Sequence, residues 1–125
     1  MSSEPGGLKT AWKDIQPYVT KDGSEIRELM HPAVHPVRNQ SLAEATVLPG
    51  CETRLHRHRH TEEIYHVTGG NGSMQLGEAR FEVSAGDTVV IPPGTAHSVR
   101  NTGAVPLKIL CACAPAYAHE DTELL

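Results

Sequence analysis

The sequence predicts an all-β protein, a single barrel or sandwich made of two antiparallel sheets. The chain has 125 residues, which suits one domain, and its 11 glycines and 9 prolines suit many short strands joined by tight turns. Strand-like runs of about five residues recur roughly every 8–12 positions with turn residues between them, a spacing typical of sandwiches and barrels. The absence of any long helical pattern argues against an α/β fold.

Residues 1–40 are predicted to form an entry segment ahead of the barrel. A short amphipathic piece surrounds residues 12–15, and residues 21–24 have the composition of a turn. Residues 25–30 alternate polar and apolar side chains, which predicts a strand at an edge of the sheet or at a dimer contact. The two His-Pro pairs at residues 31–36 predict a loop, because proline lacks an N–H donor and restricts its neighbour.

Residues 41–113 are predicted to form the barrel itself. Strands are predicted at residues 41–48, 55–58, 63–67, 74–76, 80–83, 87–91, 98–100 and 107–113. On the first of these, Ala43, Ala45 and Val47 share one face, and small side chains on the inner face of a barrel leave room for a ligand. Residues 114–125 are small and acidic, and we expect them to form a surface tail.

Composition narrows the function before any motif is considered. The net charge of −4 lacks the basic footprint of a nucleic-acid-binding protein. The apolar runs are far shorter than the roughly 20 residues a membrane span needs, and residues 1–20 lack the apolar core of a signal peptide. We therefore expect a cytoplasmic location and neither a membrane nor a nucleic-acid partner. The three cysteines are too few and too sparse for a disulfide framework.

Four side chains carry the strongest functional signal: His56, His58, Glu63 and His97. Neutral imidazole and carboxylate are ligands that first-row transition metals accept. His56 and His58 are two residues apart, so on a strand they point to the same side. Glu63 begins the next predicted strand, and His97 follows a proline-glycine turn that aims a further strand back across the first pair. The pattern predicts a metal site assembled from several strands.

The spacing of these residues resembles the two signature motifs of the cupin superfamily. The first runs from Gly50 to Gly70 and the second from Gly86 to Asn101. Ten marked positions match without a gap: Gly50, His56, His58, Glu63, Gly70, Gly86, Pro92, Gly94, His97 and Asn101. Chance agreement at ten positions is negligible when even glycine occurs at only about 7%. The motifs and the strands between them cover a little under half of the chain.

The resemblance implies a double-stranded β-helix, or jelly-roll barrel, with one metal ion inside it. It assigns metal binding to His56, His58, Glu63 and His97. It also implies a homodimer, since cupins commonly pair and the exposed edges of a small barrel must be covered. We expect residues 25–30 to pair with an edge of the partner. The resemblance does not assign a reaction, because cupins include oxygenases, decarboxylases, isomerases, cyclases and plain binding proteins.

Strand alternation separates the remaining histidines from the site. If Glu63 faces inward, so does Tyr65, and His66 faces outward. His60 shares the parity of His56 and His58 and could compete as a ligand, although the motif spacing favours Glu63. We expect three further histidines, His31, His35 and His119, at the surface. A metal-free barrel with a polar pocket remains an alternative for all four favoured residues.

The same alternation predicts the walls of the pocket. The predicted lining residues are Ala43, Ala45, Val47, Tyr65, Val99 and Cys111. Cys111 either packs as a small apolar side chain or supplies a reactive thiol, and Cys113 shares its face. Arg57 and Arg59 are predicted to face outward, whereas Arg54 could lie at the pocket mouth.

Three imidazoles and one carboxylate leave two positions open on an octahedral metal. Fe, Mn, Ni, Cu, Co and Zn all accept this donor set, so the residues alone do not choose the divalent ion. The prediction is a metal-dependent enzyme acting on a small organic molecule that chelates the metal through oxygen, either a dioxygenase or a Lewis-acid isomerase, cyclase or lyase. The alternative is a cupin that binds a small molecule or a metal without catalysis, since fold does not fix function. No catalytic group beyond the metal ligands is predicted.

Overall fold

The structure, a computed structural model, describes residues 7–125 and contains eleven strands in that part of the chain. A 3-10 turn at Trp12–Asp14 precedes the first strand and another at His119–Asp121 precedes the last. The strands are β1 (Tyr18–Val19), β2 (Glu25–Met30), β3 (Ser41–Val47), β4 (His56–His58), β5 (Glu62–Gly69), β6 (Asn71–Leu76), β7 (Ala79–Ser84), β8 (Thr88–Ile91), β9 (His97–Asn101), β10 (Leu107–Ala114) and β11 (Thr122–Leu124).

Two antiparallel sheets face each other, which confirms the predicted all-β fold. One has six strands in the order β1-β2-β3-β10-β5-β8, and the other has five in the order β11-β4-β9-β6-β7. Strands adjacent in sequence often fall in different sheets, as β3 and β4 do, so the chain crosses the barrel repeatedly. Side chains alternate along each strand, and the inward set from both sheets forms one core.

The core is apolar at one end of the barrel and polar at the other. Its largest fully buried apolar side chains are Met74, Ile91, Leu107 and Ile109. His56, His58, Glu63 and His97 are also buried, at 5% exposure or less. Buried charged or polar groups are costly without partners, so this polar end requires an explanation.

Two motif residues have structural roles that explain their identity. Gly70 has φ +85, and a Cβ there would lie 2.8 Å from the carbonyl oxygen of Pro106, so only glycine fits. The Asn101 amide donates to the carbonyl oxygens of Val47 and Val105, and its Oδ1 accepts from the N–H of Gly103. Asn101 therefore ties together three segments near one end of the barrel.

The structure departs from the predicted surface tail at residues 122–124. These residues form β11, which pairs with β4 through Thr122–His58 and Leu124–His56. The segment is short and acidic and shows no clear alternation, so sequence periodicity gave no signal for it. β1, a strand of two residues, lies next to β2 and was also not predicted. β2 pairs with β3 along most of its length and with β1 only at Glu25 and Ile26.

Candidate metal centre

The two sheets bring the predicted ligands together at the polar end of the barrel. β4 presents His56 and His58 inward, with Arg57 between them pointing outward. β9 runs beside β4 and pairs His97 with His56. Glu63 comes from β5 in the opposite sheet, where it lies beside Cys113 and Ile91. The cluster therefore bridges the two sheets.

The three histidines form a compact group. Their ring centroids are 4.2 Å apart for His56 and His97, 5.2 Å for His56 and His58, and 5.3 Å for His58 and His97. One nitrogen from each ring lies within 4.8 Å of the others. Nitrogens ligating one metal at about 2.1 Å cannot be more than about 4.2 Å apart, so a small adjustment would complete such a site.

Hydrogen bonds fix the same tautomer in all three rings. Nδ1 of His56 lies 2.7 Å from the carbonyl oxygen of Arg54, and Nδ1 of His97 lies 3.0 Å from that of Thr95. A carbonyl oxygen only accepts, so both Nδ1 atoms carry the hydrogen. Nδ1 of His58 lies 2.9 Å from Oγ1 of Thr122, whose own hydrogen is donated to Ala118. His58 must therefore also donate from Nδ1.

While the rings are neutral, this tautomer leaves a lone pair on each Nε2, and the Nε2 atoms of His58 and His97 face a carboxylate. Oε1 of Glu63 lies 3.2 Å from Nε2 of His58 and 3.6 Å from Nε2 of His97. Neither Glu63 Oε1 nor His97 Nε2 has a hydrogen-bond partner, although both atoms are buried. Lone pairs that face a carboxylate repel it unless a cation lies between them. The donor set thus fits a bound metal ion.

Glu63 is held as a carboxylate with one oxygen free for a cation. Burial by itself would raise the pKa of Glu63, but in the metal-free site hydrogen bonds and positive charge from His58 and His97, in their protonated form, outweigh it and lower the pKa to about 2. Its Oε2 accepts a hydrogen bond from the thiol of Cys113 at 3.4 Å. Burial followed by the charge of Glu63 raises the pKa of Cys113, so the thiol keeps its proton and remains a donor.

His56 stays neutral. Burial and the neighbouring His97 lower its pKa, while Asp22 opposes them. A neutral imidazole is the form that binds metal, so protons compete weakly for this ligand.

Asp22 is a site residue that sequence reasoning missed. Its Oδ2 lies 3.5 Å from Nε2 of His56, on a side chain that is 13% exposed. Its Oδ1 accepts hydrogen bonds from Thr20 Oγ1, Ser24 N and Ser24 Oγ. In the sequence Asp22 belongs to a turn pattern, and only the tertiary fold brings that turn to the histidines.

A cavity of about 40 Å³ lies next to the cluster. A buried water needs roughly 10–15 Å³ by this measure, so the space suits a few waters or one small organic molecule. The six predicted lining residues, Ala43, Ala45, Val47, Tyr65, Val99 and Cys111, all lie along its wall. Burial raises the pKa of both Tyr65 and Cys111, which keeps their O–H and S–H protonated.

The other histidines lie away from the three-histidine group. His66 contacts Thr88 on the outer face, as strand alternation predicts. His60 bonds to Asp121, with 79% of its side chain exposed, and His119 is exposed. The surface prediction was wrong for His35, which is 8% exposed and accepts a hydrogen bond from the N–H of His31. The loop between the two His-Pro pairs folds back on itself, and His31 is half-buried.

The arginines around the first motif lie outside the cavity. Arg57 and Arg59 form ion pairs with Glu123. The side chain of Arg54 is exposed and does not line the cavity, contrary to the suggested position at its mouth. Its backbone nevertheless contributes to the site. The N–H of Arg54 donates to the backbone carbonyl oxygen of Asp22, and its own carbonyl oxygen accepts from Nδ1 of His56.

Comparison with known proteins agrees with this architecture. Residues 43–113 match the Cupin domain family. An uncharacterized protein of Methanocaldococcus jannaschii is 54% identical over 118 residues, which is 94% of each chain. None of the helices in residues 7–125 is long and apolar enough to cross a membrane.

Two solved structures share the fold. An oxalate decarboxylase from Lactobacillus farciminis, crystallised as a formate complex, superposes with a TM-score of 0.77 at 26% identity. The match covers 90% of this chain but only 34% of that enzyme. A predicted oxalate decarboxylase from Thermotoga maritima superposes with a TM-score of 0.76 at 23% identity, over 86% of this chain and 99% of that one.

Proposed function

Since the chain belongs to the cupin family, we propose that it is a metal-dependent enzyme acting on a small organic molecule that chelates the metal through oxygen. One divalent transition metal is bound by His56, His58, Glu63 and His97. The observation that carries this proposal is that Nε2 of His58 and Nε2 of His97 face a carboxylate oxygen of Glu63 that has no hydrogen-bond partner. A cation at their centre satisfies every one of these atoms.

The alternative of a metal-free polar pocket leaves the cluster poorly satisfied. The buried Oε1 of Glu63 then has no hydrogen-bond partner, and a buried polar atom left without one typically costs about 1–3 kcal/mol. The Nδ1 hydrogen bonds also orient the rings in the way that outer hydrogen bonds orient metal-binding histidines.

Three imidazoles and a carboxylate suit Fe, Mn, Ni, Cu, Co or Zn and leave coordination positions for a ligand. When bound, such an ion supplies either a site for oxygen chemistry or a Lewis acid that stabilises an enolate. The pocket adjoins His56, His58 and Glu63, so a ligand in it reaches the same point that these side chains face.

The chain's own residues shape the environment of that reaction. Ala43, Ala45 and Val47 give the cavity an apolar wall, which limits water around the ligand and strengthens electrostatic interactions inside it. The Tyr65 hydroxyl keeps its proton and serves as a donor. The Cys113 thiol holds Oε2 of Glu63, which leaves Oε1 for the metal.

The comparisons support a small oxygen ligand. The decarboxylase from Lactobacillus farciminis was crystallised with formate, and its fold superposes on this chain. The cavity volume of about 40 Å³ independently favours a molecule of only a few heavy atoms.

The test is conversion of a panel of diketones, hydroxy acids and enols by protein reconstituted with Fe, Mn, Ni or Zn. Oxygen uptake and product mass are followed in air and under nitrogen. An enzyme of the oxygen-dependent kind consumes oxygen only with substrate present, whereas a Lewis-acid enzyme converts its substrate under nitrogen as well. Glu63→Ala should abolish either activity, and Glu62→Ala on the exposed face of β5 is the matched control.

A binding protein gives a different result in the same experiment. The absorption spectrum of its bound metal changes when a compound from the panel is added, yet that compound is recovered unchanged after hours in air. No conversion and no spectral shift with any panel member would contradict chelating recognition.

A further inference from the structure

The cavity beside the histidine cluster has an acidic wall. Among residues 7–125, three carboxylates line it, those of Asp22, Glu28 and Glu63, and no lysine or arginine does. Sites for small dianions ordinarily offer lysine or arginine, because charge-assisted hydrogen bonds to carboxylates are the strong ones. The remaining polar groups on the wall are hydroxyls, thiols and imidazoles.

Asp22 lies on a different side of the histidine group from Glu63. Glu63 approaches His58 and His97, whereas Oδ2 of Asp22 approaches His56 at 3.5 Å. Three hydrogen bonds to Oδ1 hold the carboxylate in this orientation. Oδ2 accepts no hydrogen bond from these groups, so it is available to a hydroxyl of a ligand bound at the metal.

Glu28 provides a second acceptor on the wall of the cavity. It lies on β2, three strands away from β5 in the same sheet, which is about 14 Å along the sheet. Its Oε2 accepts a hydrogen bond from the Tyr18 hydroxyl at 2.9 Å, but its Oε1 is buried without a partner. Burial raises the pKa of Glu28, and a ligand hydroxyl that donates to Oε1 would relieve this cost.

The charges select against anionic ligands. Three acidic side chains and no basic one surround the single divalent cation, so a dianion would add two negative charges to a poorly solvated, acidic space. A cationic ligand is disfavoured for a different reason, because it would have to approach the metal ion itself. A neutral molecule with hydroxyl groups avoids both penalties and offers the donors that the carboxylates need.

Building on the proposed metal centre, we propose that this pocket selects an uncharged hydroxy-carbonyl compound over a dicarboxylate. One hydroxyl and the carbonyl oxygen chelate the metal, and that hydroxyl donates to Oδ2 of Asp22. A second hydroxyl donates to Oε1 of Glu28. Asp22 and Glu28 are therefore the residues that determine specificity.

Dihydroxyacetone and oxalate are the probes, since each has six heavy atoms and they differ in charge and in hydrogen-bond donors. The full chain is loaded with Co(II), and each probe is titrated while the visible absorption of the metal is followed. Wild-type protein should bind dihydroxyacetone more tightly than oxalate. Asp22→Asn and Glu28→Gln should each weaken dihydroxyacetone about tenfold or more and should strengthen oxalate, because each removes a charged acceptor and a negative charge. Glu25→Gln, an exposed carboxylate on the same strand as Glu28, is the matched control and should change neither affinity.

The outcomes separate this proposal from the metal-binding proposal. Tighter binding of oxalate by the wild-type protein would overturn the selectivity while leaving the metal centre intact. Cobalt-loaded protein whose visible absorption changes with neither probe would also overturn the selectivity. The same conclusion would follow if the Asp22→Asn and Glu28→Gln variants bound both probes with the affinities of Glu25→Gln. A chain that takes up no cobalt would overturn the metal centre and this proposal together.

Discussion

Residues that are not among the ten marked motif positions fix the tautomer and orientation of the histidines. Arg54 and Thr95 act through their carbonyl oxygens and Thr122 through its hydroxyl. Two of these three contacts are local, because the carbonyl lies two residues before the histidine that it orients. The third crosses from β11 to β4 and depends entirely on the tertiary fold.

Thr122→Val should weaken metal binding about 10–100-fold, as loss of an outer hydrogen bond to a metal ligand typically does. Valine keeps the volume of threonine but leaves the buried Nδ1–H of His58 without an acceptor. Metal affinity is measured by competition with a chromophoric chelator. Thr88→Val is the matched control, since Thr88 contacts the outward-facing His66. Equal affinities in the two variants would contradict the role of Thr122.

The ionisation of Glu63 should make the free energy of unfolding of the metal-free protein depend on pH. The folded pKa is about 2 and the ordinary value is 4.5, so the contribution is present above pH 4.5 and is lost as the pH falls toward 2. The difference corresponds to about 3 kcal/mol. Urea unfolding between pH 2 and 6 should show a steeper loss for the wild type than for Glu63→Gln. If the free energy of unfolding of the wild type and of Glu63→Gln changed in parallel between pH 2 and 6, Glu63 would not titrate in this range.

Sequence reasoning succeeded at this scale where a local rule applied. Alternation along β4 and β5 placed His56, His58, Glu63 and Tyr65 inward and His66 outward, as the structure has them. It missed Asp22 and Thr122, because nothing local connects a turn or an acidic terminus to a strand far away in the sequence. It also misplaced His35, whose burial follows from a loop conformation that carries no periodic signal.

At the scale of elements, β11 completes the sheet that bears two of the histidines. β4 has only three residues, and β11 covers one of its edges along its whole length. Leu125 also donates its N–H to the carbonyl oxygen of Leu55. A three-residue strand paired on one side only would be marginal, so β11 stabilises the position of both His56 and His58.

Removing residues 119–125 should therefore lower both the melting temperature and the affinity for metal. The loss of affinity should be at least as large as that of Thr122→Val, since the truncation removes the hydroxyl together with the strand pairing. Calorimetry and the chelator competition measure the two effects. A truncated chain that keeps the stability and affinity of the full chain would show that β11 has no such role.

At the scale of the whole molecule, the outer face of the six-stranded sheet carries an apolar row. Leu42, Ala112, Ile64 and Val90 are consecutive neighbours across β3, β10, β5 and β8. Leu42, Ile64 and Val90 are exposed by 38%, 42% and 54%. The sequence-based expectation placed the dimer contact at residues 25–30, and that contact stays a prediction, since β1 pairs with only Glu25 and Ile26 of the strand. We propose that this row also packs against the same row of a second chain.

Sedimentation velocity at micromolar concentration should show a dimer for the wild type. Ile64→Lys and Val90→Lys should each shift it toward a monomer, because each places a charge in an apolar contact. Val105→Lys, at an equally exposed valine away from the row, should leave the dimer unchanged. A monomeric wild type would contradict the proposal, as would dimers of equal stability in all three variants.

The most direct test of the metal centre is the metal content of protein purified without an affinity tag, measured by inductively coupled plasma mass spectrometry. We expect one transition-metal ion per chain in the wild type and in His66→Ala. His56→Ala and His97→Ala should retain less than about a tenth of it, since loss of a ligand exceeds the 10–100-fold cost of losing an outer contact. Equal metal content in these three histidine variants would contradict the assignment.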